Sequence, residues 1–214
     1  MTRTMASAHD FVGETCGART VRHFGNKNKT VTRLLFFETA LKGAYLIEPE
    51  PRVDPRGLFA RTFCVEEFKA HGLTVFVAQC NLSLNFKQGT LRGLHYQASP
   101  ASETKLVRCT AGAIFDVIVD LRPESSTYLG HYYIELTSEN RRMLYIPGMF
   151  AHGFQTLVDD TEVFYQMGSS YIPAYQHGLR YDDPTLAIKW PIPVTKIADK
   201  DLAWPLLETS QRAR

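Results

Sequence analysis

The sequence predicts an all-β fold, and two observations lead to that prediction. From Leu34 onward, short runs rich in β-branched and aromatic residues alternate with turn signals at intervals of roughly eight to twelve residues. Clear examples of these turn signals are Asp54-Pro55-Arg56-Gly57 and Pro147-Gly148. Helical patterns do not alternate with the strand-like runs, so the sequence does not predict a parallel α/β sheet. This spacing is typical of an antiparallel sandwich or barrel.

The clearest strand-like runs are bounded by glycine, proline or small polar residues. They cover residues 44–47, 74–78, 105–109, 113–121, 131–136, 143–146, 153–157 and 162–167. One short helix is predicted over residues 65–71, because Glu66 and Glu67 favour its first turn and Gly72 ends it.

The run over residues 113–121 illustrates the pattern of a barrel strand. Successive side chains of a strand point to opposite faces, so Asp116, Ile118 and Asp120 share one face while the other is apolar. Asp120 is followed closely by Arg122, and we predict that the two form an ion pair at the rim. Asp116 lies in mid-strand and is therefore predicted to have a polar role inside the barrel.

The composition is that of an ordinary folded protein, with 44% hydrophobic and 21% charged residues. The net charge of +2 is too small to indicate binding to nucleic acid or to a membrane surface. No apolar run approaches the ~18 residues of a membrane helix. The four cysteines are scattered without a CxxC pair, which is typical of reduced thiols and predicts a cytoplasmic protein.

Residues 1–33 differ from the remainder of the chain. They are rich in arginine and lysine, lack sustained periodicity and include the polar run Gly25-Asn26-Lys27-Asn28-Lys29. We predict a weakly ordered N-terminal extension over residues 1–33 and one domain over residues 34–214. A targeting peptide is the alternative interpretation, but the stretch is poor in serine and is not clearly amphipathic.

The best candidates for chemistry lie around Leu91-Arg92-Gly93-Leu94-His95. Together with Lys105, this stretch brings a guanidinium, an imidazole and an ammonium group into one predicted strand pair. A cation-rich concave site suits a phosphate-bearing ligand. We predict acid–base chemistry in which His95 is the base and Lys105 stabilises negative charge. Tyr165, in mid-strand, is the predicted acid.

Other uses of these residues stay open at this stage, because a lone strand histidine or tyrosine often has only a structural role. A metal site is disfavoured, since none of the seven histidines lies in an HxH, HxxxH or HxxE pair. The sequence also contains no GxSxG elbow, phosphate-binding P-loop or GxGxxG fingerprint.

These residues resemble the dTDP-4-dehydrorhamnose 3,5-epimerases, a family of the cupin barrel class. The resemblance runs from about Glu38 to Leu207 and rests on a series of ordered motifs. These are Asp54-Pro55-Arg56-Gly57, Gln79-Cys80-Asn81, Leu91-Arg92-Gly93-Leu94-His95-Tyr96-Gln97, Lys105-Leu106-Val107-Arg108, Asp116-Val117-Ile118-Val119-Asp120-Leu121-Arg122, Ile146-Pro147-Gly148, Ala151-His152-Gly153-Phe154, Asp182-Asp183-Pro184 and Ala198-Asp199-Lys200-Asp201.

The resemblance implies a role for each matching position. His95 matches the general base, Asp201 the carboxylate that holds its imidazole, Tyr165 the acid, and Lys105 the lysine beside the keto oxygen. The implied substrate-binding residues are Arg56, Gln79, Asn81, Arg92, His152, Tyr171 and Lys200. No cofactor and no metal is implied.

The implied fold is an antiparallel jelly-roll or cupin barrel, and the implied assembly is a homodimer that exchanges N-terminal strands. The implied activity is epimerisation at C3 and/or C5 of a nucleotide-linked 4-keto-6-deoxyhexose. Conversion of dTDP-4-dehydro-6-deoxy-D-glucose to dTDP-4-dehydro-L-rhamnose is the leading case. A mono-epimerase acting on a dTDP- or CDP-linked sugar, a non-catalytic nucleotide-sugar-binding cupin and a metal-dependent cupin oxygenase are the alternatives.

Three positions depart from the pattern of the family. Arg61 stands where a glutamate is expected, Ser170 replaces the first tyrosine of a pair completed by Tyr171, and Gln176 lies near a common glutamate position. These departures bear on the nucleotide and on the sugar substituents. They leave His95, Asp201, Lys105 and Tyr165 in place.

Overall fold

The computed structural model describes residues 32–207 of the chain. The extension predicted over residues 1–33 falls almost entirely outside these described residues. Within residues 32–207, the helices are short: α1 (Val65–Ala70), α2 (Asp199–Leu202) and one 3₁₀ turn at Pro173–Tyr175. None of the described helices has the length and apolar character needed to cross a membrane. The all-β prediction is confirmed.

Two antiparallel sheets form the body of this domain. The larger has the spatial order β1 (Leu34–Glu38), β2 (Tyr45–Pro49), β10 (Met143–Ile146), β7 (Lys105–Ala111), β12 (Thr161–Met167) and β5 (Gln79–Asn85). The smaller has the order β13 (Gln176–Gly178), β6 (Leu91–Gln97), β11 (Phe150–Thr156), β8 (Ala113–Asp120) and β9 (His131–Thr137). A separate hairpin joins β3 (Arg52–Asp54) to β4 (Gly57–Phe59).

The inner faces of the two sheets share one apolar core. From the larger sheet, Val107 and Val163 contribute to it, and from the smaller sheet Ile118 and Phe154 meet them; all four are fully or almost fully buried. Alternating side chains of each strand build this layer, because the period of a strand is two residues. The core occupies part of the space between the sheets, and Tyr165 packs against its edge.

The outer face of the larger sheet is covered by α1 and the segment that follows it. Phe68 of α1 is 1% exposed and packs with Ile47 and Met143 of the sheet. The prediction of a strand over residues 74–78 is wrong, because regular strand pairing begins only at Gln79. That segment is apolar because Leu73 and Val75 pack onto the sheet face, not because the segment joins a ladder.

The other predicted strands are found, with shifted ends in most cases. The predicted strand pair that was to hold both His95 and Lys105 is wrong, since β6 and β7 belong to different sheets. Residues 98–104 carry the chain from one sheet to the other and include Pro100, which cannot donate to a ladder. His95 and Lys105 therefore approach from two walls.

Both aspartates of β8 have the surroundings predicted for them. Asp116 is fully buried. Asp120 forms an ion pair with Arg122 at 2.7 Å, as predicted. Burial alone would raise the pKa of Asp120, but hydrogen bonds from Arg122, Ser125 and Thr127 lower it to about 2. This cluster fixes the end of β8 where the chain leaves the sheet.

A β-bulge in β6 decides which side chains of this strand face inward. Arg92 is paired with Phe154 and His95 with His152, so two residues of β6 stand opposite Gly153 alone. In a regular strand, positions three apart point to opposite faces; the bulge turns Arg92 and His95 to the same face. Gly93 permits it, since its φ is +116° and a Cβ there would lie 2.6 Å from the Cα of Gly153.

Substituting Gly93 therefore tests the bulge. The control Gly72→Ala also lies at a positive φ, of +70°, but has no atom within 4 Å of the added Cβ, so it should cost only the backbone strain of about 1–3 kcal/mol. Gly93→Ala adds a clash with backbone and should cost more than about 4 kcal/mol. Urea unfolding of both variants measures the difference. Equal losses would show that the close approach of the two strands contributes nothing.

Candidate active site

A cavity of about 660 Å³ opens between the two sheets beside the shared core. Strands β5, β7 and β12 of the larger sheet line it, with β6 and β11 of the smaller sheet and the segment around α2. Every predicted site residue except Arg56 lies on its wall. These residues are His95, Tyr165, Asp201, Lys105, Gln79, Asn81, Arg92, His152, Tyr171 and Lys200.

His95 and Asp201 form a hydrogen-bonded pair at one wall of the cavity. The imidazole Nε2 lies 2.6 Å from Oδ1 of Asp201, and the backbone N–H of Gly93 donates to Oδ2 at 3.3 Å. Burial alone would raise the pKa of Asp201, but the hydrogen bond and charge of His95 bring this pKa below its usual value. The carboxylate accepts from Nε2–H, so Nδ1 is the acceptor nitrogen in the neutral form of the imidazole.

Lys105 enters the cavity from the opposite sheet together with Glu103. Its Nζ lies 2.5 Å from Oε1 of Glu103, and both side chains are more than nine-tenths buried. Burial lowers the pKa of Lys105, and the charge and hydrogen bond of Glu103 oppose that change. Glu103 is therefore the group that favours the ammonium form of Lys105, in a place where water contributes little.

A second histidine–carboxylate pair lies deeper, beside Tyr165. Nε2 of His152 is 2.7 Å from Oδ1 of Asp116, and the His152 and Tyr165 rings meet edge to face with centroids 6.1 Å apart. Burial raises the pKa of Asp116, and His152 opposes that rise. The pKa of Tyr165 is raised strongly, by burial first and by the charge of Asp116 second, while Arg92 opposes the rise. The phenol therefore keeps its proton at neutral pH.

The polar side chains nearer the cavity mouth are held by local hydrogen bonds. Arg92 donates from Nε to Oδ1 of Asn85 at 2.6 Å, which directs the guanidinium along the wall. Oε1 of Gln79 accepts from the backbone N–H of Tyr171 at 3.1 Å. The hydroxyl of Tyr171 donates to Oε1 of Gln176, and this hydrogen bond holds the half-exposed ring in place near the opening.

Arg56 has a different location from the other predicted site residues. It lies in the turn between β3 and β4, with its side chain 89% exposed, and pairs with Asp54 at 2.6 Å. It does not line the cavity of its own chain. Arg61, one of the departures, also lies away from the cavity lining and pairs with Glu67 of α1 at 3.1 Å.

Sequence reasoning missed three residues that take part in the site: Glu103, Gln97 and Lys196. Glu103 precedes Lys105 by two positions, and this spacing could have indicated that both point to one face. Gln97, which is 2% exposed, hydrogen-bonds Glu103 at 2.9 Å, and no sequence signal predicts that contact. Within residues 32–207, no group of three or more His, Cys, Asp or Glu side chains is placed to hold a metal ion.

Two face-to-face antiparallel sheets with an open cavity and inward-facing acid–base pairs define a cupin-type jelly roll. A family model described as dTDP-4-dehydrorhamnose 3,5-epimerase matches residues 38–209 of this chain. The chain belongs to the dTDP-4-dehydrorhamnose 3,5-epimerase family. The resemblance predicted from the sequence motifs is thereby confirmed.

Individual relatives agree with the family assignment. The dTDP-4-dehydrorhamnose 3,5-epimerase of Methanothermobacter thermautotrophicus is 44% identical over 177 residues, which cover 81% of this chain and 95% of that protein. The dTDP-4-dehydrorhamnose 3-epimerase of Streptomyces niveus is 38% identical over 162 residues, covering 75% and 78%. The crystal structure of the Bacillus anthracis 3,5-epimerase, with TDP and PPi bound, has a TM-score of 0.79 at 39% identity. It covers 82% of this chain and 100% of that one.

Removing one member of the buried pair of His152 and Asp116 should be strongly destabilising, because the other member stays buried without its partner. Asp116→Ala leaves Nε2 of His152 without its partner inside the protein and should lower the free energy of unfolding by about 3–5 kcal/mol. Asp182→Ala is the matched control, because Asp182 pairs with Arg180 at the surface and should contribute about 0–1 kcal/mol. Urea unfolding at neutral pH compares the two. A small loss for Asp116→Ala would contradict the importance given to this pair.

Proposed function

We propose that this chain epimerises C3 and C5 of dTDP-4-dehydro-6-deoxy-D-glucose to give dTDP-4-dehydro-L-rhamnose. One observation carries the proposal: His95 and Tyr165 line the same cavity from opposing sheets. An epimerase removes a proton from one face of a carbon and returns one to the other face, so a base and an acid on different walls meet that need. The names of the relatives support the choice of substrate.

His95 is the base of the proposed reaction. Its Nε2–H is held by Asp201, so Nδ1 carries the free electron pair. When Nδ1 takes a proton from C3 or C5, the imidazole becomes a cation beside an ionised carboxylate. Asp201 stabilises that cation and keeps the ring in one orientation.

Lys105 stabilises the charge that forms on the sugar. A 4-keto group acidifies the neighbouring C–H bonds, because the electron pair left on carbon delocalises onto the ketone oxygen. An ammonium group beside that oxygen lowers the energy of the enolate, and the effect is larger in a buried site than in water. The pair with Glu103 keeps Lys105 buried at the wall before the substrate enters.

Tyr165 completes the inversion as the acid. The phenol is protonated at neutral pH and donates to the carbon from the face opposite His95. One C–H bond breaks, its electron pair passes into the enolate, and one C–H bond forms with the proton of Tyr165. His95 and Tyr165 then exchange protons with solvent. No electrons are transferred, so the proposal includes neither a redox cofactor nor a metal.

The remaining cavity residues fit the nucleotide diphosphate. Arg92, Lys196 and Lys200 are cations on the cavity wall, and phosphate oxygens are their natural partners. Tyr171 lies at the opening, where its ring face can stack on a nucleobase. In the proposed binding mode, the sugar lies inside the cavity and the nucleobase lies at its mouth.

Proton NMR in deuterium oxide tests the reaction. With the dTDP-linked 4-keto sugar, the wild-type chain should introduce one solvent deuterium at each inverted centre. His95→Ala should lose about 10²–10⁴ of the rate because no base remains. Tyr165→Phe should still exchange hydrogen at carbon but should not invert it, since His95 can only return a proton to the face from which it came.

Tyr133→Phe is the control for the loss of a hydroxyl, because Tyr133 is 56% exposed and lies outside the cavity. It should behave as the wild type. Deuterium at C3 alone would instead identify a mono-epimerase, the activity named for the Streptomyces niveus relative. Binding of the sugar without any deuterium at C3 or C5 would contradict catalysis and leave a binding protein.

We further propose that the working form is a homodimer in which the β3–β4 hairpin of one subunit completes the cavity of the other. The hairpin pairs with no other strand among the described residues, and Val53 and Phe59 are 76% and 70% exposed. Apolar side chains exposed in this way favour burial against another surface. Arg56 at the hairpin turn would then bring its guanidinium to the partner's substrate.

Mixing two inactive variants tests this arrangement. Arg56→Ala and His95→Ala should each be defective alone, and subunit exchange between them should restore about a quarter of the wild-type activity, because one site of each hybrid dimer receives both intact residues. Light scattering measures the assembly. A dimer whose hybrids regain no activity would show that Arg56 does not act on the neighbouring subunit.

A cytoplasmic location is the remaining proposal. It is supported by the cysteines of the described residues, since Cys64, Cys80 and Cys109 are all unpaired thiols. Unpaired thiols are typical of reducing compartments.

A further inference from the structure

We propose that Glu103 is a positioning residue that holds Lys105 in the cavity as an ammonium ion. Glu103 itself lies on the cavity wall, 7% exposed, with Oε1 at 2.5 Å from Nζ of Lys105. The inference rests on the proposed epimerase function, because it concerns the group that stabilises the enolate. Glu103 lies outside all the sequence motifs quoted above and has no role in the reaction as described so far.

The distribution of charge around Lys105 leaves Glu103 as its partner. The other titratable or charged side chains on the cavity wall are Tyr96, Tyr165, Tyr171, Arg92, His95, His152, Lys196, Lys200 and Asp201. Arg92, Lys196 and Lys200 disfavour a further positive charge. Asp201 is the other carboxylate on the described part of the wall, and it is engaged by His95 and the N–H of Gly93.

Gln97 fixes the carboxylate that faces Lys105. Its side-chain amide donates to Oε2 of Glu103 at 2.9 Å, while its Oε1 accepts from the backbone N–H of Ile172 at 2.6 Å. Both oxygens of Glu103 are therefore used, one by Lys105 and one by Gln97. The same amide donates to the carbonyl of Ser170 at 3.2 Å. The backbone next to Tyr171 is therefore hydrogen-bonded to the residue that holds Glu103.

The consequence for the reaction follows from burial. A lysine surrounded by protein loses its proton more readily, because the ion is no longer solvated, and a neutral amine cannot stabilise an enolate as an ammonium does. A nearby carboxylate opposes this loss, because its negative charge favours the ammonium form. Removing the charge of Glu103, while keeping its shape, should therefore make Lys105 lose its proton at a lower pH.

The pH dependence of kcat and kcat/KM tests this in the full-length protein. In Glu103→Gln, the alkaline limb should move to lower pH by about 1–3 units. The acid limb should stay in place, because the hydrogen bonds of Glu103 and Gln97 do not include His95. Glu103→Asp keeps the charge and should retain the wild-type alkaline limb even if its rate falls. Glu50→Gln removes a surface carboxylate paired with Arg33 and should leave the whole profile unchanged.

A folded Glu103→Gln with a wild-type alkaline limb would overturn the inference, while wild-type turnover would still support the proposed function. A second readout needs no turnover. In protein labelled with ¹³C-lysine, the Cε resonance missing from Lys105→Met reports the titration of Lys105. In the wild type it should keep its ammonium position up to the pH where activity declines, and in Glu103→Gln it should titrate earlier. A neutral amine in the wild type near pH 7 would refute the role of Glu103, whether or not the chain is an epimerase.

Discussion

The central constraint on this structure is that charged side chains must be kept inside a gap between two apolar sheets. An isolated ion in such a place is strongly disfavoured, so each buried charge requires a partner. The cavity meets this constraint with pairs: His95 with Asp201, and Lys105 with Glu103. A third pair, His152 with Asp116, lies beside Tyr165. Because each charged group has a partner, the cavity wall can carry polar side chains while the two sheets remain packed on their shared apolar core.

The same pairing sets different protonation states within one small space. Asp201 is kept ionised by its histidine, whereas burial keeps the phenol of Tyr165 protonated. The proposed base, His95, and the proposed acid, Tyr165, need these opposite conditions, and they lie on opposite walls of the cavity. The bulge at Gly93 is part of the same arrangement, because it brings Arg92 and His95 to the cavity face and offers its N–H to Asp201. Chemistry and strand geometry are therefore set by the same few residues.

The sequence predicted the sheet architecture and ten of the residues on the cavity wall, for reasons that can be traced. Period-two alternation placed Asp116 inside, neighbouring charges and strand position singled out His95 and Tyr165, and the family resemblance added Asp201. Local pattern failed where long-range packing decides the outcome. Residues 74–78 look like a strand but cover a sheet face, and the link from β6 to β7 changes sheets. The partnership of Glu103 with Gln97 depends on side-chain directions across that link, which spacing alone cannot supply.

The three departures from the family pattern are Arg61, Ser170 and Gln176, and each makes contacts that do not involve His95, Asp201, Lys105 or Tyr165. Arg61 is neutralised by Glu67 on α1, so the reversed charge does not enter the cavity of its own chain. Ser170 contributes its backbone carbonyl to Gln97, a contact that any side chain at this position would allow. Gln176 accepts from the hydroxyl of Tyr171 and thereby fixes the ring expected to meet the nucleobase. An amide can make this contact as well as a carboxylate but carries no charge, so the opening loses one negative charge while the ring keeps its position. None of these contacts involves His95, Asp201, Lys105 or Tyr165, so the departures leave the geometry of the paired groups in the cavity unchanged.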